Sequence, residues 1–150
     1  MPLNTTFTTG QVLTAAQQNN MPFGVVNYVS GTTAQTGINT ATDITGLSIT
    51  WTAVAGRVYM AQFNLNPYGS AGDSSNQLIV LDGTAVWQNR RNFTTLNVID
   101  SSPGQYLFTT TSASHTIKIQ MSKSGTNNVN NYADASTFAC NFALFDLGAR

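Results

Sequence analysis

Apolar and polar residues alternate strictly along parts of this 150-residue chain, and few folds accept such a pattern. Between residues 46 and 53 every second position is apolar, and the apolar members are Leu47, Ile49, Trp51 and Ala53. The segment 57–66 repeats the pattern with Tyr59, Ala61, Phe63 and Leu65. Successive side chains of a β-strand point to opposite faces, so a period of two predicts strands with one buried and one solvated face. Antiparallel sheets are typical of such strands.

A tight turn is predicted at Asp82-Gly83, which stands between two apolar runs. Asp-Gly is a preferred pair for the two-residue type I′ turn, because both of its central residues need a positive φ. This turn determines how the flanking strands pair, with Leu81 opposite Thr84 and Ile79 opposite Val86. The sequence therefore predicts a β-hairpin here.

The rest of the chain also divides into short strands. We expect strands at 96–101, 105–111, 116–122 and 136–147, with turns at 102–104 and 112–114. Two polar stretches, 69–76 and 124–135, are expected to be exposed loops. About eight or more short strands at this spacing predict an all-β fold, an antiparallel β-sandwich of the jelly-roll type.

Residues 1–23 differ from the body of the chain, which we expect to be a jelly-roll domain at 24–150. Thr14 and Gln17 are spaced as in a capping box, and Pro22 ends the segment, so we expect one helical turn in an otherwise extended arm. An arm this short cannot build a core of its own. It must dock either on its own domain or on a partner.

Charge is scarce and balanced in this chain. Charged residues make up 8% of the sequence, all six acidic residues are Asp, and the net charge is zero. A nucleic-acid partner is not expected, because such proteins carry a basic surface. A membrane partner is not expected either, since no run approaches the roughly twenty apolar residues of a spanning helix. The start of the sequence also lacks the basic and apolar segments of a secretory signal.

The sequence contains few residues that are suited to catalysis or metal binding. The one histidine, His115, is placed by the alternation on an inward face and is expected to be partly buried with its hydrogen bonds satisfied. The one cysteine, Cys140, lies in an apolar run and is expected to be a small buried hydrophobe. One His and one Cys cannot supply a zinc site. The six aspartates are scattered, which disfavours a paired-carboxylate glycosidase. We therefore expect no enzyme activity and no cofactor, with calcium at Asp73 and Asp134 as a minor alternative.

The closing strand is apolar on both faces. Phe138, Cys140, Phe142 and Leu144 share one face, and Ala139, Ala143 and Phe145 share the other. A strand with one solvated side would not tolerate this pattern. Either the strand is central and covered by a loop, or a second subunit buries its other face.

Two parts of the sequence resemble known families. The opening Thr6-Phe7-Thr8-Thr9-Gly10-Gln11-Val12-Leu13-Thr14-Ala15-Ala16-Gln17, followed by Asn19, resembles a leader of bacteriophage structural proteins of the tail-fibre, minor-tail and virion type. The body is similar to the trimeric jelly rolls related to tumour necrosis factor and the complement globular heads. The segments that carry this second resemblance are Ser114-His115-Thr116-Ile117-Lys118-Ile119-Gln120 and Ala143-Leu144-Phe145-Asp146-Leu147-Gly148.

These resemblances imply a non-enzymatic structural protein of a phage virion, assembled in the cytoplasm of the bacterial host. They imply a homotrimer, whose expected interface residues are Phe138, Phe142 and Phe145. They also imply that the arm anchors the domain to other capsid or tail proteins, and its expected contact residues are Phe7, Val12, Leu13 and Met21. Capsid decoration (cement) and tail-fibre component are both compatible with this interpretation.

The loops are expected to face away from the particle. Their candidate host-contact residues are Tyr68, Asp73, Asn128 and Tyr132. An alternative function follows from the aromatic members, because aromatic rings stack on the apolar faces of sugars. In that case the domain is a carbohydrate-binding module that recognises a glycan of the host surface. Packing at the rim of the domain or at a subunit interface is the simpler explanation for the same rings.

Overall fold

The computed structural model describes residues 21–150, together with Val12 and Gln18. The predicted helical turn at residues 14–17 and the candidate anchor residues Phe7 and Leu13 lie outside these residues. Eleven strands follow one another in residues 21–150. They are β1 (Gly24–Gly31), β2 (Gln35–Ile38), β3 (Thr42–Thr52), β4 (Arg57–Leu65), β5 (Pro67–Tyr68), β6 (Ser74–Leu81), β7 (Thr84–Asn92), β8 (Ser102–Thr109), β9 (Ser114–Lys123), β10 (Val129–Asn131) and β11 (Cys140–Ala149).

The strands form a sandwich of two four-stranded antiparallel sheets. The first sheet has the order β1-β11-β4-β8, and the second sheet has the order β3-β9-β6-β7. Strand β1 packs against β3 at one edge of the sandwich, and β7 packs against β8 at the other. The short strands β2, β10 and β5 make a third sheet. The prediction of an all-β, antiparallel β-sandwich is confirmed, and the interleaved strand orders are consistent with a jelly roll.

The alternating segments supply the core. All eight apolar residues predicted to face inward from 47–53 and 59–65 are buried. They meet Ile117, Ile119 and Met121 of β9 and the inner face of β11 between the two sheets. The prediction that Cys140 is a buried core residue is also confirmed.

The predicted hairpin forms between β6 and β7. Asp82 and Gly83 have φ values of 48° and 83°, as a type I′ turn requires. Leu81 pairs with Thr84 as predicted, but a bulge after Ile79 places that residue opposite Trp87 instead of Val86. A bulge adds one unpaired residue to a strand, and no residue type in the segment announces it.

Four segment predictions were wrong in whole or in part. Residues 96–101 form a loop, in which Leu96 and Val98 are exposed. The predicted turn 102–104 belongs to β8, where Pro103 is tolerated because β8 is the edge of the first sheet. The expected loops 69–76 and 124–135 are shortened, because β6 begins at Ser74 and β10 spans Val129–Asn131.

The sandwich has two different ends. At the arm end, the chain enters β1 beside the last residues of β11 and the start of β4. The connections 53–56, 82–83 and 110–113 lie at this end too. At the opposite end, the loop end, lie the segments 32–34, 66–73, 93–101 and 124–139 and the small third sheet. The start of β1 and the predicted host-contact loops are therefore separated by the full length of the strands.

Candidate functional site

The outer face of the first sheet carries an apolar row that crosses all four strands. The strand register aligns Val25 with Phe145, Phe145 with Met60, and Met60 with Leu107. Val25 is 58% exposed and Leu107 is 57% exposed, while the two central members are half-buried. Four apolar residues aligned across four neighbouring strands are unusual on a sheet face that is exposed to water.

A shallow depression of about 510 Å³ adjoins this row. Its lining includes Val25 and Phe145 of the row, together with Tyr28, Gln62, Asn64 and Asn141. The Tyr28 hydroxyl donates to Asn141 Oδ1 at 2.5 Å, which holds a 56% exposed ring upright on the face. The outer face thus combines an apolar row with a band of amide side chains.

The outer face of the second sheet has the opposite character. Thr50 and Thr116 share a hydrogen bond at 2.9 Å between their hydroxyl oxygens. The Asp43 carboxylate accepts from Lys118 Nζ at 2.8 Å and from Gln120 Nε2 at 2.6 Å. The hydrogen bond from Lys118 is the main cause that lowers the pKa of Asp43. This face is suited to water, so the two outer faces of the sandwich are not equivalent.

The position of the closing strand β11 explains why both of its faces are apolar. It lies between β1 and β4, with Phe142 completely buried in the core of its own chain. The interface assignment of Phe142 is therefore corrected, because a side chain without exposed surface cannot contact a second subunit. Phe145 lies in the apolar row on the outer face. Phe138 precedes the strand and is exposed at the loop end, away from that row.

The loop residue Asp73 does not present its carboxylate to solvent. Its Oδ1 accepts from the backbone N–H of Thr126 at 3.0 Å, and its Oδ2 accepts from Asn127 Nδ2 at 2.7 Å. These bonds, with that of Asn127 first, lower the pKa of Asp73. Asp73 is 6% exposed and ties two loops together, so its assignment as a host-contact residue is corrected. Asn128 is exposed beside it, as predicted.

An aromatic group forms at the loop end around Tyr132. Its ring meets Phe138 edge-to-face with centroids 5.4 Å apart, and Tyr68 pairs with Asn130 on the neighbouring strand. Hydrogen bonding to Asp134 is the main cause that raises the pKa of Tyr132. The Asp134 carboxylate also accepts from the backbone N–H groups of residues 136–138, and these bonds strongly lower its pKa. Asp73 thus joins two loops, whereas Asp134 binds its own loop, and no group of three potential metal ligands occurs in the described part of the chain.

At the arm end, Arg57 holds the beginning of the domain. Its Nε donates to Asp146 Oδ2 at 2.6 Å, and both side chains are almost completely buried. Its Nη2 donates to the carbonyl oxygen of Met21 at 2.6 Å, and its guanidinium lies 4.3 Å from the centre of the Phe23 ring. Two of the four candidate anchor residues, Val12 and Met21, lie in the described part of the chain. Val12 is exposed, and Met21 is 42% exposed.

The histidine contacts the hairpin turn, also at the arm end. His115 Nδ1 lies 2.6 Å from Asp82 Oδ2, and its Nε2 lies 3.1 Å from the carbonyl oxygen of Thr111. The bond to Asp82 is the main cause that raises the pKa of His115. A carboxylate and a carbonyl are both acceptors, so the protonated ring satisfies both partners at once. The prediction that His115 is inward-facing and satisfied is confirmed, and the side chain is more deeply buried than the predicted partial burial.

Sequence analysis missed several residues of the outer face and the arm end. Met60 and Leu107 occupy positions where the alternation calls for polar residues, and this mismatch was a usable signal. Arg57 and Asp146 gave a second signal, because each is a lone charge at the end of an apolar strand. Their pairing across 89 residues was not readable from the sequence.

Comparison with known proteins finds similarity at the level of structure only. No family model and no curated protein matches this sequence. Similar solved structures include an insecticidal δ-endotoxin of Bacillus thuringiensis (16% identity, TM-score 0.40). The Gt strain of infectious bursal disease virus (15%, 0.42) and the CBM36-1 domain of a multidomain xylanase from the hindgut metagenome of Trinervitermes trinervoides (12%, 0.35) are also similar.

The extent of these matches differs. They cover 75%, 87% and 83% of this chain, in the same order. The chain spans only 19% of the δ-endotoxin and 39% of the viral chain, but the match covers 97% of the xylanase domain. At these identities and TM-scores the matches carry no information about function. Among the residues that the structure describes, no helix is long and apolar enough to cross a membrane.

Proposed function

We propose that this chain is a non-enzymatic structural protein of a bacteriophage virion. In this proposal the jelly roll assembles as a homotrimer through the outer face of the first sheet, and the N-terminal arm anchors the trimer to other virion proteins. The phage assignment depends on the resemblance of the leader at residues 6–19. The trimer depends mainly on the apolar row, and its expected interface residues are now Val25, Met60, Leu107 and Phe145.

The apolar row favours a second copy of this chain as the partner. The first sheet exposes apolar side chains on its outer face, whereas the second sheet exposes hydroxyl and charged groups. Exposed apolar side chains are typical of the buried core of a subunit interface, whereas hydroxyl and charged groups are typical of a solvated surface. In a threefold arrangement the amide band beside the row supplies the hydrogen bonds that an oligomer interface needs for specificity.

The two ends of the sandwich support separate roles, with anchoring at the arm end and host contact at the loop end. The chain enters β1 at the arm end, where Arg57 binds Met21 and Phe23. The loops with Asn128 and Tyr132 lie at the opposite end. A protein anchored by its arm would direct these loops away from the particle. Capsid decoration and tail-fibre component share this geometry, and both remain within the proposal.

Carbohydrate binding at the loop end is the second candidate function. The observation in its favour is the aromatic group of Tyr68, Tyr132 and Phe138 beside the Asp134 carboxylate. A glycan array on the full chain, with Tyr132→Ala as the matched variant, tests it. Binding that this substitution removes supports a receptor-recognition module, and no binding to any glycan argues against one.

The proposed assembly is tested by measuring mass in solution. Light scattering during size-exclusion chromatography should give three times the 16.0 kDa chain mass for the full chain. A variant lacking residues 1–20, which keeps the Met21 carbonyl, should give a trimer as well. A monomer in both cases would refute the trimer, and a trimer only in the full chain would move the interface into the arm.

A further inference from the structure

A polar seam lies inside the sandwich at the loop end. We define it by Ser75 and Gln77 of β6, Arg91 of β7 and Ser102 of β8. Ser75 and Gln77 have no exposed surface and alternate inward with Ile79 of the core. Arg91 pairs directly with Ser75 across the two strands, so both side chains start from the same face of the sheet.

The seam contains side-chain atoms that lack hydrogen-bond partners. In the part of the chain that the structure describes, four buried side-chain nitrogen or oxygen atoms have no hydrogen-bond partner within the protein. Three of these atoms lie in the seam, namely Ser75 Oγ, Gln77 Nε2 and Arg91 Nε. The carbonyl side of Gln77 is satisfied, because its Oε1 accepts from the Ser102 hydroxyl at 2.9 Å. A buried polar group without a partner costs free energy, and native proteins rarely concentrate such groups.

An aromatic pair of the core follows the seam along β6 and β7. Phe63 and Trp87 meet edge-to-face with ring centroids 5.5 Å apart. Gly104 permits this contact, because a Cβ at this position would lie 2.7 Å from the Trp87 ring and even closer to Phe63. Trp87 pairs with Ile79, two residues along β6 from Gln77, so the aromatic pair begins where the polar residues of β6 end.

The surface adjoins the seam at Arg91. Strands β7 and β8 are both sheet edges, and a surface depression of about 280 Å³ lies against Arg91 and Asp100. The Arg91 side chain is 41% exposed, and its guanidinium pairs with Asp100.

We propose that the polar seam binds ordered water as an integral part of the fold. Arg91 Nε and Gln77 Nε2 can only donate hydrogen bonds, and the Ser75 hydroxyl can donate or accept, so the ligand must be an acceptor. Asp100 already balances the charge of Arg91, which favours a neutral acceptor over an anion. A water molecule fits these demands, since buried waters typically make about three hydrogen bonds to otherwise unsatisfied groups. This inference does not depend on the proposed function.

Crystallography of the full chain at a resolution that shows ordered water tests the proposal directly. We expect a water oxygen within about 3.2 Å of Ser75 Oγ or Gln77 Nε2. A seam without solvent density, or one in which the three groups bond to each other, would overturn the proposal. Crystals grown in bromide supply a further check, because an anomalous peak in the seam would identify an anion in place of water.

A stability measurement distinguishes a wet seam from a dry one without crystals. Ser75→Ala removes a hydroxyl that no protein atom satisfies. If water satisfies it, the urea midpoint should fall; if the seam is dry, removal of an unpaired group should raise the midpoint. Ser48→Ala, at an exposed position of β3, is the matched control and should leave the midpoint unchanged. A midpoint for Ser75→Ala at or above that of the parent chain contradicts the proposal.

Discussion

At the scale of single residues, charge in this protein is scarce and specifically placed. The chain has only twelve Asp, Lys and Arg residues, and several of them hold one segment to another. Asp82 is an example, because it forms the hairpin turn and also binds β9. Its Oδ1 accepts from the backbone N–H of Thr116 at 2.8 Å, and its Oδ2 meets the His115 ring. One residue therefore forms the hairpin turn and also holds the turn against β9.

The Asp82–His115 pair predicts a pH dependence of stability. The pKa of His115 is raised above its ordinary 6.5, so the pair stabilises the fold below pH 6.5 and loses this contribution as the pH rises through the raised value. The pKa of Asp82 is lowered, chiefly by the bond to His115, so its contribution is present above pH 3.8 and is lost as the pH falls through the lowered value. The pair should therefore contribute most between about pH 4 and pH 6.5.

Asp82→Asn tests this linkage without removing the turn, because Asn-Gly also favours a type I′ turn. Urea unfolding from pH 4 to pH 9 should show a smaller loss of stability above pH 6.5 in the variant than in the parent chain. Identical pH profiles would mean that the pair does not contribute.

At the scale of elements, the presence of a partner strand decided which predicted segments became strands. Residues 96–101 were predicted to form a strand, but the backbone N–H groups of Asn97 and Asp100 donate to the carbonyl oxygens of Gly69 and of Pro67 in β5. Asn97 also has a φ of 56°, which interrupts an extended chain. By contrast, residues 102–104 read as a turn and yet extend β8, because the edge of β4 is available to pair with them. Alternation alone does not tell which edges are free.

The clamp of Arg57 on β4 and Asp146 on β11 predicts a large effect of breaking one buried pair. Arg57→Met leaves the Asp146 carboxylate buried without its partner, which costs about 3–5 kcal/mol in other proteins. We expect a decrease of this order in the free energy of unfolding, together with faster proteolysis near residues 21–23.

Lys118→Met is the matched control for that substitution. It breaks the exposed pair with Asp43 and should cost about 1 kcal/mol or less. The double variant Arg57→Met/Asp146→Asn should recover part of the loss. Equal effects of the two single substitutions would contradict a special role of the clamp.

At the scale of the whole molecule, the two outer faces of the sandwich have different compositions. The apolar row on the first sheet is continuous only because four strands from distant parts of the chain align Val25, Phe145, Met60 and Leu107. The second sheet has hydroxyl groups and ion pairs on its outer face. This asymmetry is the basis of the proposed trimer.

A charge placed in the apolar row tests the proposed interface. Leu107 is already 57% exposed in the single chain, so Leu107→Lys should leave the fold intact while burying a charge in the trimer. We expect light scattering to show a shift from trimer to monomer. Thr52→Lys, at an exposed position of β3, should leave the mass unchanged. A trimeric Leu107→Lys variant with unchanged stability would place the interface elsewhere.

The sequence by itself determined the fold class, the inward residues of β3 and β4, the Asp82-Gly83 turn, the inward position of His115 and the burial of Cys140. These features depend on neighbours along one strand or across one turn, so local periodicity and turn chemistry are sufficient to predict them. Only the tertiary structure decided the bulge after Ile79, the burial of Phe142 and Asp73, the Arg57–Asp146 pair and the apolar row. Each of these results from contacts between segments far apart in the chain, and an alternating pattern specifies which residues share a face but not which strands become neighbours.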